Sequence, residues 1–269
     1  MTDPAAVYPS LPSARTDPLP LATTVPGPCV IGATGGSGTR VVAGIARESG
    51  MFIGARLNPY EDAVAFGEYS DRWIDRFVER AGEAPEKELL GGMQTDLEHV
   101  VQDHLAELPP EARAWGWKEP RSIYLVPFFD ATMPSLRFLH FLRDGRDMAF
   151  SENQNQLVRY GDLLVDDRRR EKKPVRSIAL WSLVNSAAAD YGETRLGDRY
   201  LRVRFEDLCA EPAETVRRIY DFFGLEGDAE AIAAAEVRPP STLARWTSKS
   251  PRTISKLEQL GEPALTRFG

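Results

Sequence analysis

Two short stretches carry residue types that can hold anions. The first, CVIGATGGSGTRVVAGI from Cys29 to Ile45, passes from apolar residues through a knot of glycine into an apolar helical pattern. A strand, a tight turn and a helix in that order aim backbone N–H groups and the positive end of a helix dipole at a negative ligand. The second, RDGRDMAFS at Arg143–Ser151, follows an apolar run and opens a helical pattern. A guanidinium at a strand end and a hydroxyl two helical turns further on can grip a phosphate from two sides. Asp144 or Asp147 can cap or support the start of that helix.

The glycine loop admits several readings. A nucleoside-triphosphate hydrolase needs GxxxxGK[ST]. Ending that pattern at Gly38 puts Ala33, Thr39 and Arg40 where glycine, lysine and Ser/Thr belong, so hydrolysis of ATP or GTP is not expected. GATGGSG at 32–38 also fits GxxGxxG and resembles the opening of some atypical short-chain dehydrogenases, which implies an NAD(P) site. Against it, the chain has no YxxxK pair, and no second strand with a ribose-binding acid follows about 20 residues later. A tight turn without any ligand is the plainest alternative.

A third resemblance covers far more of the chain. GGSGTR is similar to the 5′-phosphosulfate loop of sulfotransferases that use 3′-phosphoadenosine 5′-phosphosulfate (PAPS). The 3′-phosphate motif of that family, RxxxDxxxS, is matched at Arg143, Asp147 and Ser151, roughly a hundred residues downstream of the loop. RVRFEDLCAEPAETVRRIYDFFGL at 202–225 resembles its YEDL…P…FLGL segment, with Phe205 in place of tyrosine. With WGWKEPRS and the terminal ARWTSKS…LGEPALTRFG, the resemblance spans about 28–269. It implies an α/β fold of three layers (α/β/α) around a short parallel sheet, related to nucleotide kinases. It also implies in-line sulfuryl transfer from PAPS to a hydroxyl or amine of a small-molecule or carbohydrate acceptor, without a metal. Gly35, Gly36, Ser37, Gly38, Thr39 and Arg40 would then bind the 5′ side of the donor through backbone N–H groups and the Ser37 and Thr39 hydroxyls. Arg143 and Ser151 would bind its 3′-phosphate.

The chain departs from the family pattern at the catalytic cation. Many members carry Lys or Arg just before Ser-Gly-Thr; Gly36 stands there. Positive charge must come from Arg40, or from Lys118 or Arg121 in WKEPR. For the base that takes the acceptor proton, Glu119 beside Lys118 is the first candidate. Its alternative role is an ion pair that orients Lys118 or Arg121. Glu61 and Asp62, in the loop LNPYEDA, come next, together with His99 and His104. His99 and His104, five apart on a helix, do not share a face, and His140 reads as a core residue within a strand. A non-catalytic module that binds the desulfonated nucleotide is the other reading that Gly36 leaves open.

The elements that must position these groups follow from length and patterning. The chain has 269 residues, a net charge of −7 and apolar and charged fractions of 42% and 27%, as in a globular protein with a sizeable core. The negative charge argues against general nucleic-acid binding. No apolar run reaches the ~20 residues of a membrane span, and no basic-then-apolar leader opens the chain. Cys29 and Cys209 provide neither a disulfide framework nor a CxxC metal site, which fits a reducing cytoplasm. Residues 1–27, with six prolines, read as an unstructured tail, and 28–269 as one domain.

Strands are expected at 28–33, 112–118, 135–142 and 199–205. Helices are expected at 38–49, 61–81, 86–107, 122–133, from 143 onward, at 175–193 and at 211–223. Such alternation predicts a parallel sheet covered on both faces, with ligands beyond the carboxyl ends of its strands. The helical insert at about 57–110 and a loop at 158–175 would receive the acceptor. Tyr60, Phe66, Tyr69, Trp73 and Trp115 are candidates for an apolar wall there, although helical spacing places Trp73 and Phe77 in a core. DDRRREKK at 166–173 reads as a solvated loop.

Overall fold

Apolar runs bounded by turns and separated by helical patterns build a sheet whose strands all point the same way. The computed structural model describes residues 7–11 and 18–269. In chain order it contains β1 (Cys29–Ala33), α1 (Thr39–Glu48), β2 (Met51–Phe52), α2 (Val64–Val78), α3 (Lys87–Ala106) and β3 (Ala114–Lys118). There follow α4 (Val126–Thr132), β4 (Arg137–Leu142), α5 (Gly145–Ala149), α6 (Asn155–Leu164) and α7 (Lys173–Tyr191). Then come β5 (Tyr200–Arg204), α8 (Phe205–Ala210), α9 (Pro212–Phe223), α10 (Ala229–Glu236), α11 (Pro251–Gly261) and α12 (Ala264–Phe268). The strand order is β2-β3-β1-β4-β5, all parallel. The order reverses at β1, so its carboxyl end, where the glycine loop begins, is a topological switch point.

Alternation along the strands sorts their side chains to two faces. Val30, Trp115, Trp117 and Phe138 join α2, α3, α4 and α7 in one core. Cys29, Ile31, Ala33, Leu139, Phe141 and Val203 join α1, α9 and α10 in another. Phe66 stacks on Trp117 with centroids 3.9 Å apart and 6° between the planes. Each such aromatic, fully buried, contributes roughly 1.5–3 kcal/mol. The three-layer α/β/α arrangement expected from the alternation is therefore the one observed.

Several details differ from the sequence expectation. The helix at the second motif stops at Ala149, so Ser151 lies in the turn beyond α5 rather than two turns into a helix. The stretch 158–175 is not one loop: α6 runs to Leu164, and only 165–172, with a 3-10 turn at Asp166–Arg168, is largely exposed outside an α-helix before α7 begins. α7 is buried on most of its circumference instead of on one stripe, because α5, α6, α11 and α12 all pack around it. Phe66, Tyr69, Trp73 and Trp115 are core residues, each 8% exposed or less; only Tyr60 of the proposed wall is open, at 64%.

Of the segment expected to be an unstructured tail, residues 1–6 and 12–17 lie outside the described residues. Its described parts are packed, with Val7 and Leu19 buried. The Tyr8 hydroxyl donates to the Ile123 carbonyl at 2.6 Å, and Leu19 N–H donates to the Thr132 carbonyl. Apolar side chains at proline-rich spacing cover the α4 edge of the core. Among the described residues no helix is long and apolar enough to cross a membrane.

Candidate active site

The glycine loop opens where β1 ends. Gly36 and Gly38 have φ of 90° and 88°, a region that glycine enters without a Cβ penalty. Both also sit against neighbours. A Cβ on Gly36 would lie 2.8 Å from Ser151 Oγ, and one on Gly38 would lie 3.0 Å from the Phe205 ring. At the position where a loop cation was missing, a side chain would strain the backbone and push the Ser151 hydroxyl aside.

Gly38 begins α1 without a side-chain cap, and no acidic residue occupies the first turn. The helix N-terminus and Thr39 are therefore set up for an anion. The Ser37 hydroxyl departs from expectation: it is buried and donates to the Thr34 carbonyl at 2.5 Å, so it braces the turn.

Arg143 extends from the end of β4 and is 4% exposed. Its Nη2 donates to Asp147 Oδ2 at 2.8 Å and to the Thr242 carbonyl at 2.5 Å, and its guanidinium lies over the Phe205 ring at 5.0 Å. Among the described residues its Nη1 makes no hydrogen bond, leaving one end of the fork for a ligand. Asp147, 1% exposed, also accepts from Ala244 N at 2.9 Å and Trp246 N at 3.3 Å. One carboxylate therefore holds Arg143 and ties the 242–246 segment across it.

That segment delivers a residue that motif reading missed. Arg245 donates to the Phe150 carbonyl at 3.3 Å. Burial, and then the neighbouring Arg143, lower its pKa against the pull of Asp147 and Glu152. The quoted ARWTSKS contains the residue, but its place beside Arg143, about a hundred positions away in sequence, needs the fold. Asp144 caps α5 by accepting from Arg146 N at 2.8 Å.

Lys118 ends β3, beside β1, and is 1% exposed. Its ammonium donates to the Tyr60 carbonyl at 2.6 Å and to Asp62 Oδ1 at 2.5 Å. Burial lowers its pKa, while Asp62, Glu119 and Glu61 pull it back up. Arg40, exposed on the first turn of α1, lies over the Tyr60 ring at 5.4 Å. One residue, Tyr60, thus contacts two of the three candidate cations, Arg40 and Lys118.

Glu119 faces away from this pair. It is 3% exposed and receives Arg121 Nε at 2.8 Å and the Ser70 hydroxyl at 3.1 Å, one on each oxygen. Burial raises its pKa, against the pull of Arg121. Arg121 continues to the Gly67 carbonyl and Asp71, which also meets Arg159 of α6. Burial alone would lower the pKa of Arg121; the Glu119 and Asp71 carboxylates together raise it above its ordinary value. This arrangement is the ion-pair alternative for Glu119. His140 is a core residue, between Tyr200 and Asn185. His104 is buried among Phe52, Phe66 and Trp115, whereas His99 is exposed.

The glycine loop and the buried Arg143 meet around Phe205, at the sheet's carboxyl edge. Comparison with known proteins gives this arrangement its family. The sulfotransferase family profile matches residues 54–230, a span that holds Lys118, Arg143, Ser151 and Phe205. The chain belongs to the sulfotransferase family. The fold agrees. A sulfotransferase from Mycobacterium avium superposes with a TM-score of 0.56 at 12% identity, covering 92% of this chain and 78% of that one. The sulfotransferase domain from the curacin biosynthetic pathway gives 0.53 at 14%, covering 90% and 98%. The sulfotransferase domain of the Synechococcus PCC 7002 olefin synthase gives 0.51 at 19%, covering 92% and 98%. No curated protein matches this sulfotransferase in sequence. Family membership replaces the dinucleotide-dehydrogenase reading of Gly32–Gly38.

Proposed function

We propose that this sulfotransferase moves a sulfuryl group from PAPS to a hydroxyl or amine of a small-molecule or carbohydrate acceptor. The observation that carries the reading is the pairing of two anion sites around one aromatic ring. The loop Gly35–Arg40 with the α1 N-terminus suits the 5′-phosphosulfate, and Arg143, Arg245 and Ser151 suit a 3′-phosphate. Phe205 packs on Gly38 and lies under Arg143, so a nucleotide phosphorylated at both ends would span the ring. In-line transfer of this kind is mostly positioning and charge stabilisation. With glycine at position 36, Lys118 and Arg40 supply the positive charge for the leaving phosphate oxygen. Glu119 then acts as the anchor of Arg121, and the acceptor enters between the 57–63 segment and α6. A cytoplasmic site of action fits the two unpaired cysteines, Cys29 and Cys209.

The test is calorimetric titration with 3′-phosphoadenosine 5′-phosphate, NADPH and ATP. Incubation with ³⁵S-labelled PAPS and a panel of phenol, sugar and amine acceptors follows. Selective binding of the bisphosphate together with label transfer supports the reading. Bisphosphate binding with no donor cleavage, even to water, would favour the non-catalytic module.

A further inference from the structure

The turn Asn58–Asp62 is built around one side chain. Asn58 Oδ1 accepts from Tyr60 N at 2.8 Å and Asp62 N at 3.0 Å, while Asn58 Nδ2 donates to Asp62 Oδ2 at 2.9 Å. Glu61, at φ 63°, carries the chain round, and a bridge between Leu57 and Ala63 closes the turn. The result aims Asp62 Oδ1 at Lys118. Asp62 also differs from Glu119 in access. The Asp62 side chain is 20% exposed and that of Glu119 4%, and both Glu119 oxygens are engaged by Arg121 and Ser70.

We infer that Asp62 is the general base of the transfer step, an inference that rests on the PAPS-dependent reading. Two acceptors that share one ammonium lie within about 5–6 Å of each other, twice a hydrogen-bond length. A carboxylate on Lys118 is therefore beside any sulfuryl oxygen that Lys118 also reaches. The donor's negative charge competes for the Lys118 N–H groups, and each bond it takes loosens the ammonium's hold on Asp62. The Asp62 carboxylate is then free to turn to the acceptor hydroxyl. The acceptor hydroxyl then gives its proton to Asp62 as its oxygen bonds to sulfur. The bond from sulfur to the bridging oxygen breaks, and the bisphosphate nucleotide leaves with the electron pair. The charged groups around Asp62 are Lys118 from β3, Glu61 from its own turn and Glu119 beyond Lys118. Arg47 of α1 reaches the turn through Glu61 at 3.3 Å.

The test uses Asp62→Asn and Asp62→Ala in the full chain, with ³⁵S-labelled PAPS as donor and water as acceptor. Asp62→Asn should keep bisphosphate affinity within about threefold or tighten it, since Lys118 is released. Donor cleavage should fall by about 10²–10⁴, the worth of a positioned base. Added formate should restore cleavage by Asp62→Ala at least about tenfold, and should do nothing for Lys118→Met. Cleavage by Asp62→Asn within about threefold of wild type overturns the inference. So does a parallel loss of affinity and cleavage without formate rescue, or a failure of both variants to fold, since each leaves Asp62 only a structural role. Wild-type protein that neither binds the bisphosphate nor cleaves PAPS instead overturns the PAPS reading itself, before any variant is made.

Discussion

Arg143 and Lys118 both stand at strand ends and both are almost fully buried, yet they are held in opposite ways. Arg143 is gripped by Asp147, itself bound by the backbone N–H groups of Ala244 and Trp246. Nothing in that cluster needs to move for its Nη1 to meet a phosphate. Lys118 is held by a five-residue surface turn, through a carbonyl and a partly exposed carboxylate. Its contacts must be shared or exchanged before it can meet an anion. A preorganised pole holds the ligand, and an exchangeable pole can change state during a reaction.

The sharpest break in that comparison is Lys118→Met. It should lower turnover by about 10²–10³, as loss of a group acting on transition-state charge does, with bisphosphate affinity changed less than about tenfold. Equal losses in both would make Lys118 a binding residue like Arg143. Unchanged turnover would move the cation to Arg40 or Arg121.

Arg143→Ala should weaken 3′-phosphoadenosine 5′-phosphate by about 2–4 kcal/mol, the usual effect of removing one partner of a desolvated charged contact. A nucleotide lacking the 3′-phosphate should bind almost as before. The melting temperature should also drop, because Asp147 is left buried without its cation. Equal weakening of both nucleotides would remove Arg143 from the 3′ pole.

Stability should depend on pH through groups at neither pole. Burial pushes the pKa of His104 and of His140 down to about 4. A folded value below the ordinary 6.5 means the neutral rings contribute fully above that pH and lose their contribution as pH falls toward 4. Each is worth up to about 3 kcal/mol. Melting temperature should fall between pH 7 and 4.5, and less steeply in His104→Phe, which keeps the aromatic packing. An equal slope in the variant would exclude His104 as a contributor.

The smallest effect is expected from Glu119→Gln. Loss of the charge facing Arg121 should cost about 1–2 kcal/mol at pH 7, since Asp71 and the Gly67 carbonyl still hold the guanidinium. Because burial raises the Glu119 pKa, wild type loses stability as pH rises from the ordinary carboxyl value to the folded one, while the variant does not. The variant's deficit should therefore be largest at low pH and shrink as pH rises through that range. Turnover at saturating donor should stay within about threefold. A fall of 10² or more with an intact melting temperature would make Glu119 the base and Asp62 only a tether.

Much of this was legible in the chain. CVIGA, AWGWK and RFLHFL are apolar runs of strand length between helical patterns, so the parallel three-layer fold followed from local periodicity. Gly36 and Gly38 sit where the turn needs positive φ, and the spacing from Arg143 to Asp147 to Ser151 marked one pole. Local pattern was silent where contacts are non-local or elements very short. A two-residue strand at Met51–Phe52 has no periodicity to read, and Arg245 reaches Arg143 only because Asp147 captures the backbone of the segment that carries it.

The neighbours Lys118 and Glu119 show the limit best. Adjacent in sequence, they read as one catalytic pair. At the end of a strand, however, successive side chains leave in opposite directions. Lys118 goes to Tyr60 and Asp62, and Glu119 goes to Arg121 and Ser70 of α2. Sequence determined which residues stand at the strand end; the packing of α2 and of the Asn58–Asp62 turn decided which carboxylate the lysine meets.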